Sequence, residues 1–233
     1  MEKKEKKALR KRIATDENYE RTRENMSEFG RAGIASKLLR DSLRILTQYA
    51  SDRYSVARLL KGMSQVIKAD AVNDRGQRDV LNGDIQLLKG FEFNEGATLS
   101  SVFFGKYTAT IDRATGTLKV DIPAFVPKKT INIPNGATHF KLMSAASEVD
   151  FVNGSYNNAV TGTAEILYGK QQEAAVSLSH TLTANSTHPL FLVLGIEFLQ
   201  LVNGKFYELH TDKVNAAALV LIDTVAAAPP AGE

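Results

Sequence analysis

The chain has 233 residues, 43% of them hydrophobic, with a formal net charge of +3. That length and apolar content suit one large domain or two small ones. There is no cysteine, so disulfides, thiolate metal sites and a thiol nucleophile are excluded.

The modest net charge hides a split. Residues 1–80 carry 19 Lys+Arg against 12 Asp+Glu, or +7, and residues 81–233 carry 10 against 14, or −4. A basic front half attracts polyanions and acidic surfaces whatever its fold. Residues 1–14 hold Lys3, Lys4, Lys6, Lys7, Arg10, Lys11 and Arg12 with few apolar partners, which predicts a basic arm or a solvated helix extension. No apolar run follows the first Met, and the longest one, Pro189 to Ile196, is too short to span a bilayer. The expectation is a cytoplasmic protein with no membrane partner.

Residues 15–72 read as a basic helical region. Thr15 or Asp16 caps a short helix through Met26, which Gly30 and Gly33 end. Ala35, Leu38, Leu39, Ser42, Ile45, Leu46 and Tyr49 then recur at helical spacing, and a second helix follows from about Ser51 to Ala69 with the stripe Val56, Leu59, Leu60, Met63, Val66 and Ile67. With a residue or two between them, these helices predict an αα-hairpin. Arg40, Arg44, Arg58, Lys61 and Lys68 fall on the outward faces and are the candidate nucleic-acid contacts, each releasing a counterion on meeting a phosphate. Ordinary solubility is the competing explanation. No aromatic residue is interleaved for base stacking, and no glycine-rich turn marks a helix-turn-helix.

A turn at Asn73-Asp74-Arg75-Gly76 and another at Gly83 place a linker at 71–85. Residues 84–224 change to strand periodicity. Strands are predicted at Ile85–Phe93, Val102–Ile111, Leu118–Ile122, Thr138–Met143 with Glu148–Val152, Thr163–Tyr168, Ala175–Leu182 and Ala216–Ile222. Asp112-Arg113-Ala114-Thr115-Gly116 is a tight hairpin loop. The organising stretch is Pro189–Leu209: Leu190 to Leu194 is apolar at every position, as in a strand covered on both faces, and Asn203-Gly204 suits a type I′ turn. Residues 225–233 read as a loose tail. The predicted class is α+β: a helical segment followed by an antiparallel β-sandwich, Ig-like or jelly-roll.

Catalytic signatures are missing. His139, His180, His188 and His210 form no His-x-x-x-His pair, although His180 and His188 flank one polar turn. Asp112, Asp121 and Glu197 are scattered, and there is no phosphate loop or nucleophile elbow. No metal, cofactor or enzymatic activity is expected.

Several blocks carry a resemblance. They are Arg12-Ile-Ala-Thr, Arg21-Thr-Arg-Glu-Asn, Glu28-Phe-Gly-Arg-Ala-Gly33, Lys37-Leu-Leu-Arg40, Gly90-Phe-Glu-Phe93, Tyr107 through Gly116, Asp121-Ile-Pro-Ala-Phe125 and Gly195-Ile-Glu-Phe198. Over most of residues 12–222 the chain resembles a family of uncharacterised proteins encoded, often in several copies, by Bacteroidota. The resemblance implies a bacterial origin and carries no activity or site residue.

The functional expectation is therefore a non-enzymatic structural or scaffolding protein. It would self-assemble as a homo-oligomer or with an assembly partner, and its basic region would touch a polyanion or a neighbouring subunit. Virion coat proteins share that layout as an analogy of architecture only. The alternatives are a nonspecific nucleic-acid-binding protein and a ligand- or carbohydrate-binding sandwich using loop residues such as Tyr156 and Asn157. Trp, the strongest sugar-stacking group, is absent.

Overall fold

The computed structural model describes residues 3–209 and 214–225, with side chains from residue 9 onward. His210, and the predicted tail beyond Val225, lie outside the described residues. Helix α1 spans Lys3–Thr15. A 3₁₀ turn at Glu17–Tyr19 follows, capped by Asp16, whose carboxylate accepts from the Asn18 N–H at 3.0 Å. Helix α2 then runs from Glu20 to Ser42, straight through Gly30 and Gly33. The two glycines do not end the helix as expected. Each costs about 1 kcal/mol against alanine, but Ala32, Ala35 and Leu39 on the same helix are buried, and that packing outweighs the propensity.

Helix α2 stops at Ser42 instead of reaching Tyr49, and Arg44–Thr47 forms the separate turn α3. Ile45, predicted to be inward, is 52% exposed. Helix α4 spans Ser55–Lys68 and buries Leu59, Met63, Val66 and Ile67. It packs on α2, as a helical hairpin requires, but the connection covers residues 43–54 and not one or two residues.

Two predicted strands change character. Within Ile85–Phe93, residues Ile85–Leu88 form a 3₁₀ turn, because Ile85 and Leu88 are buried at a spacing of three. Residues 90–93 still pair with a strand: Gly90 N–H donates to Leu219 O at 2.8 Å and Phe93 N–H to Ala217 O at 2.9 Å. Within Val102–Ile111, Leu99–Val102 is the short helix α5 and only Thr108–Asp112 is strand β1. Strand β2 (Thr117–Ile122) returns from the predicted hairpin loop, and Pro127–Thr130 forms the turn α6. Strand β3 is one continuous element, His139–Asp150, and β4 (Ser155–Gly162) includes Tyr156 and Asn157, which the sequence pattern places in a loop. The remaining strands are β5 (Ile166–Leu167), β6 (Val176–Thr181), β7 (Leu190–Val202), β8 (Lys205–Glu208) and β9 (Ala216–Asp223).

All pairings are antiparallel. One sheet has the order β1-β2-β6, and the other runs β4-β3-β7-β8, with β5 also on β3 and β9 also on β7. The chain is α+β, and the helices form a third layer. Strand β7 is buried from Leu190 through Leu199 because it is covered on both sides. Phe191 and Val193 share one core with Leu39, Leu59 and Met63 of the helices. Leu190, Leu192, Leu194, Ile196 and Phe198 share the other with Leu118, Val120 and Ile122 of the small sheet. Burying each such side chain stabilises by about 1.5–3 kcal/mol. Asn203 and Gly204, with φ of 49° and 76°, make the β7–β8 turn. Among the described residues no helix is long and apolar enough to cross a membrane.

Candidate anion-contact groove

The five predicted contact residues occupy different settings. Arg40, 3.9 Å from Asp41, shares a shallow depression with Arg44 and Gln48. Arg58 works inside the fold. Its guanidinium meets both Asp52 oxygens at 2.8 and 2.9 Å and donates to Glu92 O at 2.9 Å, and its Nε lies 3.1 Å from Glu95. Burial pushes the Asp52 carboxyl up, but the Arg58 bond and the N–H groups of Glu95 and Tyr54 outweigh it and hold its pKa below the usual value. Arg58 therefore ties the start of α4 to residues 92–95. Lys61 is exposed and has no acidic partner among the described residues. Lys68 sits in the last turn of α4, where a cation meets the negative end of the helix dipole.

Lys68 opens onto a groove of about 520 Å³ lined also by Asn25, Glu28, Phe29, Ser64, Arg75 and Arg78. Its far wall is the loop after α4, which is held rigidly. The buried Asp70 carboxylate accepts from the N–H groups of Val72 (2.8 Å), Asn73 (3.0 Å) and Asp79 (3.0 Å), and from the Asn73 side chain at 2.8 Å. Burial pushes the Asp70 carboxyl up, yet these donors bring it down to about 2. From α2, Glu28 accepts the Gly76 N–H at 2.8 Å. Arg31 donates to Gly76 O at 2.7 Å and Arg78 O at 2.9 Å.

That clamp presents two cations. Arg75 is 3.4 Å from Glu24 and donates to Asn25 at 2.9 Å. Arg78 has no acidic partner among the described residues, and its Nε is shielded from solvent without a hydrogen-bond partner there. An unmet buried donor costs about 1–3 kcal/mol. Turn chemistry marks residues 73–76 only as a loop, and nothing local links Arg75 and Arg78 to Lys68. The visible signal was only a pair of arginines three apart beside a turn glycine.

The histidines take separate partners. His180 points with Leu178 into the core between the sheets, where its Nε2 is 2.9 Å from Ser144 Oγ. The Ser144 hydroxyl donates to Val193 O at 2.9 Å, so its oxygen accepts the imidazole N–H. Burial lowers the His180 pKa to about 4. A serine whose proton is engaged elsewhere, 0% exposed beside a neutral donor imidazole, is not poised as a nucleophile.

His188 lies 3.9 Å from Asp150, and the buried Ser186 hydroxyl donates to Glu148. Burial raises the Glu148 carboxyl, but the Ser186 and Thr183 bonds more than offset that and its pKa is lowered. Arg113 locks this end of the sandwich, donating to His188 O at 2.9 Å, Asp223 Oδ2 at 2.8 Å and Asp223 O at 3.0 Å. Among the described residues no three His, Asp or Glu side chains are grouped to hold a metal ion. Family models, curated proteins and solved structures yield no match to this chain.

Proposed function

We propose that the chain is a non-enzymatic structural protein whose β layers are the packing unit and whose cationic helical layer contacts a polyanion. The observation that carries this reading is the convergence of Lys68, Arg75 and Arg78 on one groove. The charge split along the chain supports it, since the surplus of +7 lies in the residues that build that layer. The internal engagement of Ser144, Ser186 and Arg58 supports a scaffolding role over a catalytic one.

Self-assembly completes the proposal: a neighbouring subunit or the polyanion itself would bring copies together. Size-exclusion chromatography with light scattering, with and without nucleic acid at physiological salt, tests it. Oligomers or a polyanion complex that dissolves as salt rises are expected. A monomer indifferent to every polyanion would end the proposal.

A further inference from the structure

We infer that the groove between α2, α4 and the loop carrying Arg75 and Arg78 seats a segment of single-stranded nucleic acid, with phosphates on Lys68, Arg75 and Arg78 and a base against Phe29. This deepens the polyanion reading and rests on it. The juxtaposition is tertiary: Phe29 comes from the middle of α2, Lys68 from the end of α4, and the arginines from the loop beyond. No aromatic residue is expected among these cations from the sequence, yet Phe29 is 60% exposed and shares the groove with Lys68, Arg75, Arg78 and the carboxylate of Glu28. That is the pairing single-strand binding uses: charge to follow the backbone and a ring on which any base can stack.

Two alternatives fit less well. An acidic peptide would satisfy the cations and leave the aromatic ring without a task. A duplex keeps its base faces inside the stack, out of reach of Phe29. The groove volume of about 520 Å³ falls in the roughly 300–1,000 Å³ class that takes one small-molecule-sized unit, as a single nucleotide with its phosphate is. The site is also organised in advance. Asp70, Glu28 and Arg31 hold the loop through bonds of 2.7 to 3.0 Å, so little ordering remains to be done on binding. Arg78 and Lys68 have no acid partner to surrender among the described residues.

The test is fluorescence anisotropy on the full chain with a labelled oligothymidine of about twelve nucleotides. The matching duplex, inorganic polyphosphate and a polyglutamate peptide serve as competitors. The oligothymidine should bind more tightly than the duplex or the peptide. With Arg75 already paired to Glu24, Lys68 and Arg78 predict a log–log salt slope of about −1.4 for a single strand. Phe29→Ala should weaken the oligothymidine about tenfold or more and leave polyphosphate competition unchanged. Arg78→Gln should weaken both. Phe29 is a surface residue, and an unchanged thermal melt confirms that each variant folds.

Oligothymidine binding that survives Phe29→Ala, or a duplex or polyglutamate that binds as well, overturns the inference. If binding depends instead on Arg44 and Lys61, the groove assignment fails while the polyanion reading stands. If no polyanion binds at all, both fall.

Discussion

Acid should find His180. In the folded chain this imidazole is 4% exposed, and burial lowers its pKa from 6.5 to about 4. The unfolded chain takes up a proton near 6.5, whereas the folded one resists until about 4. Between those values the unfolded state binds more protons, so stability is lost as pH falls through that window and is intact above it. At about 1.36 kcal/mol per pH unit, the full loss is about 3.4 kcal/mol, and about 2.5 kcal/mol of it has occurred by about pH 4.5.

His180→Gln separates this term from the carboxylates, which titrate in both proteins. The glutamine amide nitrogen can take the place of Nε2 and donate to Ser144, but it cannot be protonated. Urea unfolding at about pH 7 and about pH 4.5 is the assay. The wild type should lose about 2.5 kcal/mol more than the variant between the two. Equal losses, or a His180 NMR titration with a midpoint near 6.5, would refute the reasoning.

The remaining predictions concern the backbone and the groove wall. Gly30→Ala and Gly33→Ala should each stabilise by about 0.5–1 kcal/mol in chemical denaturation, because both lie inside α2 with nothing within 4 Å of an added Cβ. Gly116→Ala should cost about 3 kcal/mol or more, since Gly116 has φ +71° and its Cβ would lie 2.5 Å from Leu182 O; an unshifted melting temperature would count against this turn geometry. Asp70→Asn should cost about 1–3 kcal/mol and speed hydrogen exchange at Val72 and Asp79, whose N–H groups it now accepts. With its folded pKa lowered to about 2, Asp70 also contributes stability that is present above 3.8 and lost as pH falls toward 2.

How much of this was legible beforehand depended on range along the chain. The unbroken apolar run at Leu190–Leu194 required cover on both faces, and β7 has it, from helices on one side and the small sheet on the other. The Asn203-Gly204 and Asp112–Gly116 turns were equally readable, because a turn's chemistry lies within a few residues. Misreadings arose where packing overrode local preference. Gly30 and Gly33 lowered helix propensity, yet α2 continued because its other face is buried. Ile85 and Leu88 looked like strand positions, but their spacing of three served a 3₁₀ turn.

The sequence by itself determined the partition: a basic helical front, an antiparallel β region behind it, and a central strand with two covered faces. Periodicity and charge are properties of neighbouring residues, so they survive without coordinates. Only the tertiary structure decided which cations line the groove. Arg58 is consumed by Asp52 and the carbonyl of Glu92, while Arg75 and Arg78, from a stretch that reads as a linker, are brought beside Lys68 and Phe29. Whether a charge faces solvent or a carboxylate depends on residues tens of positions away, and that distance closes only when the chain folds.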